Sequence, residues 1–86
     1  MVRKTVKITN KLGLHARPSA KVVQTATKFK SDITLEKEGL EVNGKSIMGV
    51  MMLAAEAGSE ITIAANGVDE EEAVKVLSEV ISSKFD

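Results

Sequence analysis

Four short stretches of this chain alternate apolar and polar residues, three others repeat apolar residues at helical spacing, and together they run β-α-β-β-α-β-α. Residues 2–8 set Val2, Val6 and Ile8 on one side of a strand and Arg3, Thr5 and Lys7 on the other. Ile33-Thr34-Leu35-Glu36 and Leu40-Glu41-Val42 alternate in the same way, and the Glu38-Gly39 pair between them predicts a hairpin. Glu60 to Ala65 alternates once more until Asn66-Gly67 breaks the pattern. The first helical stretch begins near residue 16, with Pro18 in its first turn and Val22, Val23, Ala26 and Phe29 on its apolar face. Ser46 is placed to cap a short helix over about 47–53. Asp69 is placed to cap a last one, with Glu72 at its third position and Ala73, Val74, Leu77, Val80 and Ile81 buried.

Strands with one apolar side bury one sheet face and leave the other to water. The order therefore predicts an α+β fold, an open-faced β-sandwich. In it a four-stranded antiparallel sheet is covered on one face by three helices, and the fourth strand runs between the parallel first and second. At 86 residues the chain is expected to form a single domain over 1–86.

Composition excludes several function classes. Lys plus Arg and Asp plus Glu number 12 each, so no bulk field draws the chain to nucleic acid or anionic lipid. Trp and Tyr are absent and Phe29 and Phe85 are the only aromatic residues, which leaves no platform for stacking bases. The lack of cysteine removes disulfides and thiol nucleophiles, and one histidine makes a poor metal centre, so neither cofactor nor metal is expected. The start lacks a signal-peptide core and no run is long enough to span a bilayer, so the chain reads as cytoplasmic.

Two segments could carry chemistry. Gly39-Leu40-Glu41-Val42-Asn43-Gly44-Lys45-Ser46 satisfies the P-loop pattern letter for letter. Its middle residues, however, read as a strand and the helix after it is too short, so strand, turn and helix cap is the preferred reading. The other is Gly13-Leu14-His15-Ala16-Arg17-Pro18-Ser19-Ala20. Here His15 falls at or beside a helix start, facing the unpaired N–H groups of the first turn, including that of Ala16, and the positive end of the dipole. That end disfavours imidazolium, keeps a nucleophilic nitrogen neutral, and accepts an anion once a phosphoryl group is attached. Arg17 can fold back onto phosphoryl oxygens.

At these residues the chain resembles the HPr family, the histidine-containing phosphocarriers of the bacterial sugar phosphotransferase system. Gly13-Leu14-His15-Ala16-Arg17-Pro18 matches that family's active-site signature, and Asn43 to Met51 resembles its regulatory-serine segment. The resemblance implies that His15 accepts phosphate through Nδ1 from enzyme I and passes it to sugar-specific enzyme IIA components, with Arg17 steadying the group. It implies that Ser46 is the target of HPr kinase/phosphorylase, and that the serine-phosphorylated form serves a catabolite-control transcription regulator as corepressor. Leu12 departs from the small polar residue common three places before the histidine, removing a contact to the phosphoryl group.

Ile47, Val50 and Leu53, spaced i, i+3, i+6, are expected to point inward, leaving Met48, Met51 and Met52 outward. Soft methionines suit a surface that must fit several partners. A docking patch around His15 is therefore expected from Leu14, Ala20, Lys21, Gln24, Ile47, Met48 and Met51. On this reading the protein is a monomeric stoichiometric carrier with no turnover of its own. A phosphate-cradling hydrolase of the acylphosphatase sort is the alternative, and a purely regulatory relative working through Ser46 would not need His15.

Overall fold

The computed structural model describes residues 1–9 and 16–82, the side chains of Ala16 and Arg17 excepted. Its elements are β1 (Val2–Lys7), α1 (Ala16–Ala26), β2 (Asp32–Lys37), β3 (Leu40–Asn43), α2 (Ile47–Met52), β4 (Glu60–Asn66) and α3 (Glu70–Ser82). All are in the predicted order. The strands lie β1-β4-β2-β3, and every neighbouring pair is antiparallel. The first and second strands are thus parallel with the last between them, as expected.

Register explains why one face is covered. One row runs Val2, Ala65, Ile33, and the next runs Lys4, Ile63, Leu35, Val42. With Val6 opposite Ile61 they form the apolar side, where Ile33, Leu35, Ile61, Ile63 and Ala65 are buried. Helices α1 and α3 present Val22, Ala26, Ala73, Leu77 and Ile81 to it, and all five are fully buried. The opposite rows carry Thr5 beside Thr62, hydroxyls 2.9 Å apart, and Lys7 opposite Glu60. That face stays wet.

The hairpin turn is Glu38-Gly39, with φ of 50° and 86°, the two positive values that a two-residue turn of type I′ needs. The chain then passes Gly44, whose N–H donates to Ile33 O at 2.8 Å. A Cβ there would lie 2.7 Å from Ile33 Cγ2, so only glycine lets this turn press against β2. The sixth letter of the P-loop pattern is therefore explained by packing, in keeping with the strand, turn and cap reading.

Two local expectations are corrected. Helix α1 ends at Ala26, and Phe29 packs half-buried on the core from the turn after it. At the start of α3 the Asp69 carbonyl accepts from Ala73 N at 2.9 Å, as a cap residue's should, but its carboxylate is used elsewhere. Oδ2 accepts from Lys30 N at 2.9 Å, while Oδ1 accepts from Ser31 N at 3.0 Å and from the buried Ser31 hydroxyl at 2.5 Å. Glu70, in the first turn, instead receives the N–H of Gly67 at 3.1 Å.

These bonds, first the Ser31 hydroxyl and then the Lys30 N–H, hold the Asp69 carboxyl below its ordinary value of 3.8. A depressed carboxyl adds stability above its unfolded pKa and loses it as pH falls through the folded one. Asp69→Asn replaces one acceptor oxygen by a donor facing an N–H, so its thermal midpoint should lie below wild type at neutral pH. Melting curves should show the two proteins converging as pH drops below 3.8.

Ala54, just past α2, has φ of 48°, a left-handed conformation that costs a residue with a Cβ about 1–2 kcal/mol. Allowing for the greater freedom of glycine in the unfolded chain, Ala54→Gly should stabilise by about 1 kcal/mol. Denaturant titration should show a raised midpoint at unchanged slope.

Candidate functional site

Helix α1 opens at Ala16, the residue that follows His15 in sequence, and has no acidic residue in its first turn. The contrast with α3 is informative. There Glu70, Glu71 and Glu72 fill the first turn and neutralise the positive helix end, whereas α1 leaves its own end without a carboxylate in its first turn. Pro18 and Ser19 are buried in that turn, and Val22, Val23 and Ala26 fasten the helix to the core. The outer flank carries Lys21 and Gln24, both exposed, and Ala20, half-buried. Leu12, Leu14 and His15 lie outside the described residues, as do the side chains of Ala16 and Arg17.

Beside α1 packs α2. Ser46 has the extended backbone of an N-cap (φ −113°, ψ 118°), and its hydroxyl oxygen accepts from Gly49 N at 3.1 Å. Its carbonyl accepts from Val50 N at 2.9 Å. The turn before it is closed by Asn43, whose side chain accepts from Lys45 N at 2.9 Å and whose carbonyl accepts from Ser46 N at 3.1 Å. The Lys45 ammonium donates to Phe29 O at 2.8 Å, tying this turn to the end of α1. The lysine of the P-loop pattern thus holds a main-chain carbonyl.

Helix α2 is amphipathic, but not quite as predicted. Val50 and Leu53 are buried, and Met48 and Met52 are 76% and 65% exposed. Ile47 does not turn inward; it is 46% exposed beside Met51 at 42%. At about 100° per residue Ile47 lies roughly 120° around the axis from Leu53. A stripe centred between Val50 and Leu53 leaves it on the outer side. Ile47, Met48, Met51 and Met52 are therefore the exposed apolar residues of α2, a helix that packs beside α1. The bonds made by Lys45 and, at the other end of α2, by Lys37 had no local sequence signal, because their acceptors are carbonyls 16 and 17 residues away.

Among the described residues no group of three or more His, Asp or Glu is placed to hold a metal ion. Nor is any described helix long and apolar enough to cross a membrane.

The family model for the "PTS HPr component phosphorylation site" matches residues 2–83. Phosphocarrier protein HPr of Xylella fastidiosa (strain Temecula1) is 52% identical over 85 residues, covering 99% of this chain and 96% of the relative. The crystal structure of HPr from Thermoanaerobacter tengcongensis superposes with a TM-score of 0.91 at 52% identity, over 94% of this chain and 91% of that one. Crh of Bacillus subtilis, a catabolite-repression protein crystallised as an intertwined dimer with a swapped segment, gives 0.76 at 49% identity over 94% and 93%. With fold, strand order and sequence agreeing over nearly its whole length, this chain belongs to the HPr family of phosphotransferase-system phosphocarriers.

Proposed function

We propose that this protein takes a phosphoryl group onto His15 from phosphorylated enzyme I and hands it to sugar-specific enzyme IIA components, acting as a cytoplasmic, monomeric carrier. The observation that carries this reading is the start of α1 directly after His15, free of acidic side chains in its first turn, in a chain of this family. A neutral imidazole nitrogen attacks phosphorus as the bond to the donor breaks. The phosphoryl oxygens are then met by first-turn N–H groups, that of Ala16 among them, and by the Arg17 guanidinium. Pro18 offers no N–H, so the positive end holds the group without enclosing it. Such terms are worth about 0.3–1 kcal/mol each when exposed. That scale suits a group that must leave again, and it favours a carrier over a hydrolase. The side chain of Leu12 has no group that could hydrogen-bond the phosphoryl oxygens.

The apolar face of α2, with Leu14, Ala20, Lys21 and Gln24, is the docking surface for both donor and acceptors. Ser46 is the regulatory site, modified by HPr kinase/phosphorylase and read in that form by a catabolite-control transcription regulator. A phosphate there remains at a helix N-terminus, so α2 stays formed while roughly −1.5 to −2 of charge enters the docking surface.

His15→Ala should abolish labelling from phosphoenolpyruvate and enzyme I while leaving the melting curve near that of wild type; labelling at the wild-type level would exclude His15 as the acceptor. Ser46→Asp should raise the KM for this chain about tenfold, equivalent to about 1.4 kcal/mol of lost binding, at nearly constant kcat. Steady-state transfer assays separate that outcome from a fall in kcat, which would place the inhibition in the chemistry instead.

A further inference from the structure

Helix α2 has six residues, too few to persist by their own hydrogen bonds. Its beginning is held twice, by the Ser46 cap and by Lys45 on Phe29 O. Its end has no such help from its own sequence. The last turn tightens through Leu53 N to Val50 O at 3.2 Å and Ala54 N to Met51 O at 3.0 Å. The chain then leaves through Ala54 in the left-handed region, where a Cβ is unfavourable. No basic residue lies in the last turn to meet the negative end of the dipole.

A cation reaches that end from another element. Lys37, the last residue of β2, extends its ammonium to Leu53 O at 3.2 Å and Ala54 O at 3.3 Å. Its sequence neighbours are Glu36 and Glu38, yet no ion pair among the described residues competes for it. One donor group thus occupies two carbonyls at the end of the helix, where the backbone turns left-handed at Ala54. Resting on the docking role given above to α2, we infer that Lys37 is a positioning residue for transfer. By clamping the C-terminal end of α2 to the sheet it sets the angle at which Met51 and Met52 meet a partner. Lys37 itself touches neither phosphoryl group nor imidazole.

The test is Lys37→Met, which keeps an apolar stem of similar length and removes the ammonium. Amide hydrogen exchange at Leu53 and Ala54 should quicken several-fold while β4 amides keep their wild-type rates. In transfer from phosphoenolpyruvate through enzyme I, the KM for this chain should rise at least threefold with kcat unchanged. A residue that mattered only for global stability would not move KM well below the melting temperature. Lys37→Arg should behave as wild type, and Ala54→Gly in the Lys37→Met background should recover most of the lost KM by relieving the strained exit. Unchanged exchange at Leu53 and Ala54, or unchanged KM despite faster exchange, would overturn the inference while wild-type labelling leaves the carrier reading standing. Failure of the wild-type protein to be labelled at all would instead overturn the carrier reading, and the docking role of Lys37 with it.

Discussion

The position of β4 governs the rest of the structure. It is the last strand in the chain yet lies between β1 and β2, so the sheet closes only when residues 60–66 enter between strands formed from residues 2–7 and 32–37. Its inner side, Ile61, Ile63 and Ala65, is the floor of the core, and all three are buried. Pairings so distant in sequence carry a loop-closure cost that must be met by burial, which is why the apolar rows are filled by branched residues and not by alanine alone. With the apolar residues of all strands on one side, the three helices have one surface on which to pack. That leaves α1 and α2 side by side on a shared face.

From that arrangement follows a division among helix starts. Three N-termini, three different ways of meeting positive partial charge: α3 fills its first turn with glutamates, α2 uses a serine hydroxyl, and α1 has no acidic side chain there. On the carrier reading proposed above, a glutamate in the first turn of α1 would compete with an incoming phosphoryl group, whereas in α3 glutamates there stabilise the helix. Ser46 lies between these cases. Its oxygen accepts one N–H and satisfies the cap, and a phosphate there would remain in favourable contact with the helix end. The electrostatics of the two proposed phosphorylation sites are thus alike in kind, while their neighbours differ.

Much of this was legible in the sequence where the determinant is local. Glu38-Gly39 announces its turn because few residues take positive φ twice in succession, and Ser46 announces a cap because its hydroxyl reaches only three residues ahead. Ile47 was misjudged because a periodicity read over two turns has too few residues to locate the centre of a stripe. Phe29 was misplaced because an apolar residue that packs on the core from a turn resembles one that continues the helix. The bonds of Asp69, Lys45 and Lys37 were invisible for another reason: their partners, backbone groups in every case but the Ser31 hydroxyl, are 16 to 39 residues distant and brought near only by the finished packing. For the site itself, Ser46 and the exposed methionines of α2 were legible and are placed by the structure. His15, Leu14 and the side chain of Arg17 rest on sequence and family.

The sheet edges bear on how such a surface stays available. Both β1 and β3 are edge strands, with main-chain groups open to pairing. β3 has four residues, too short a template for a second chain. β1 has six, and three of them are Arg3, Lys4 and Lys7. Lys4 is the most telling, because register puts it at the outer end of the row formed by Ile63, Leu35 and Val42, where an apolar residue would add to the core. A second copy laid antiparallel along β1 would bring these cations together and require Lys4 to lose water. The same row that makes the core continuous therefore ends in a charge that opposes its extension by a further strand on that edge.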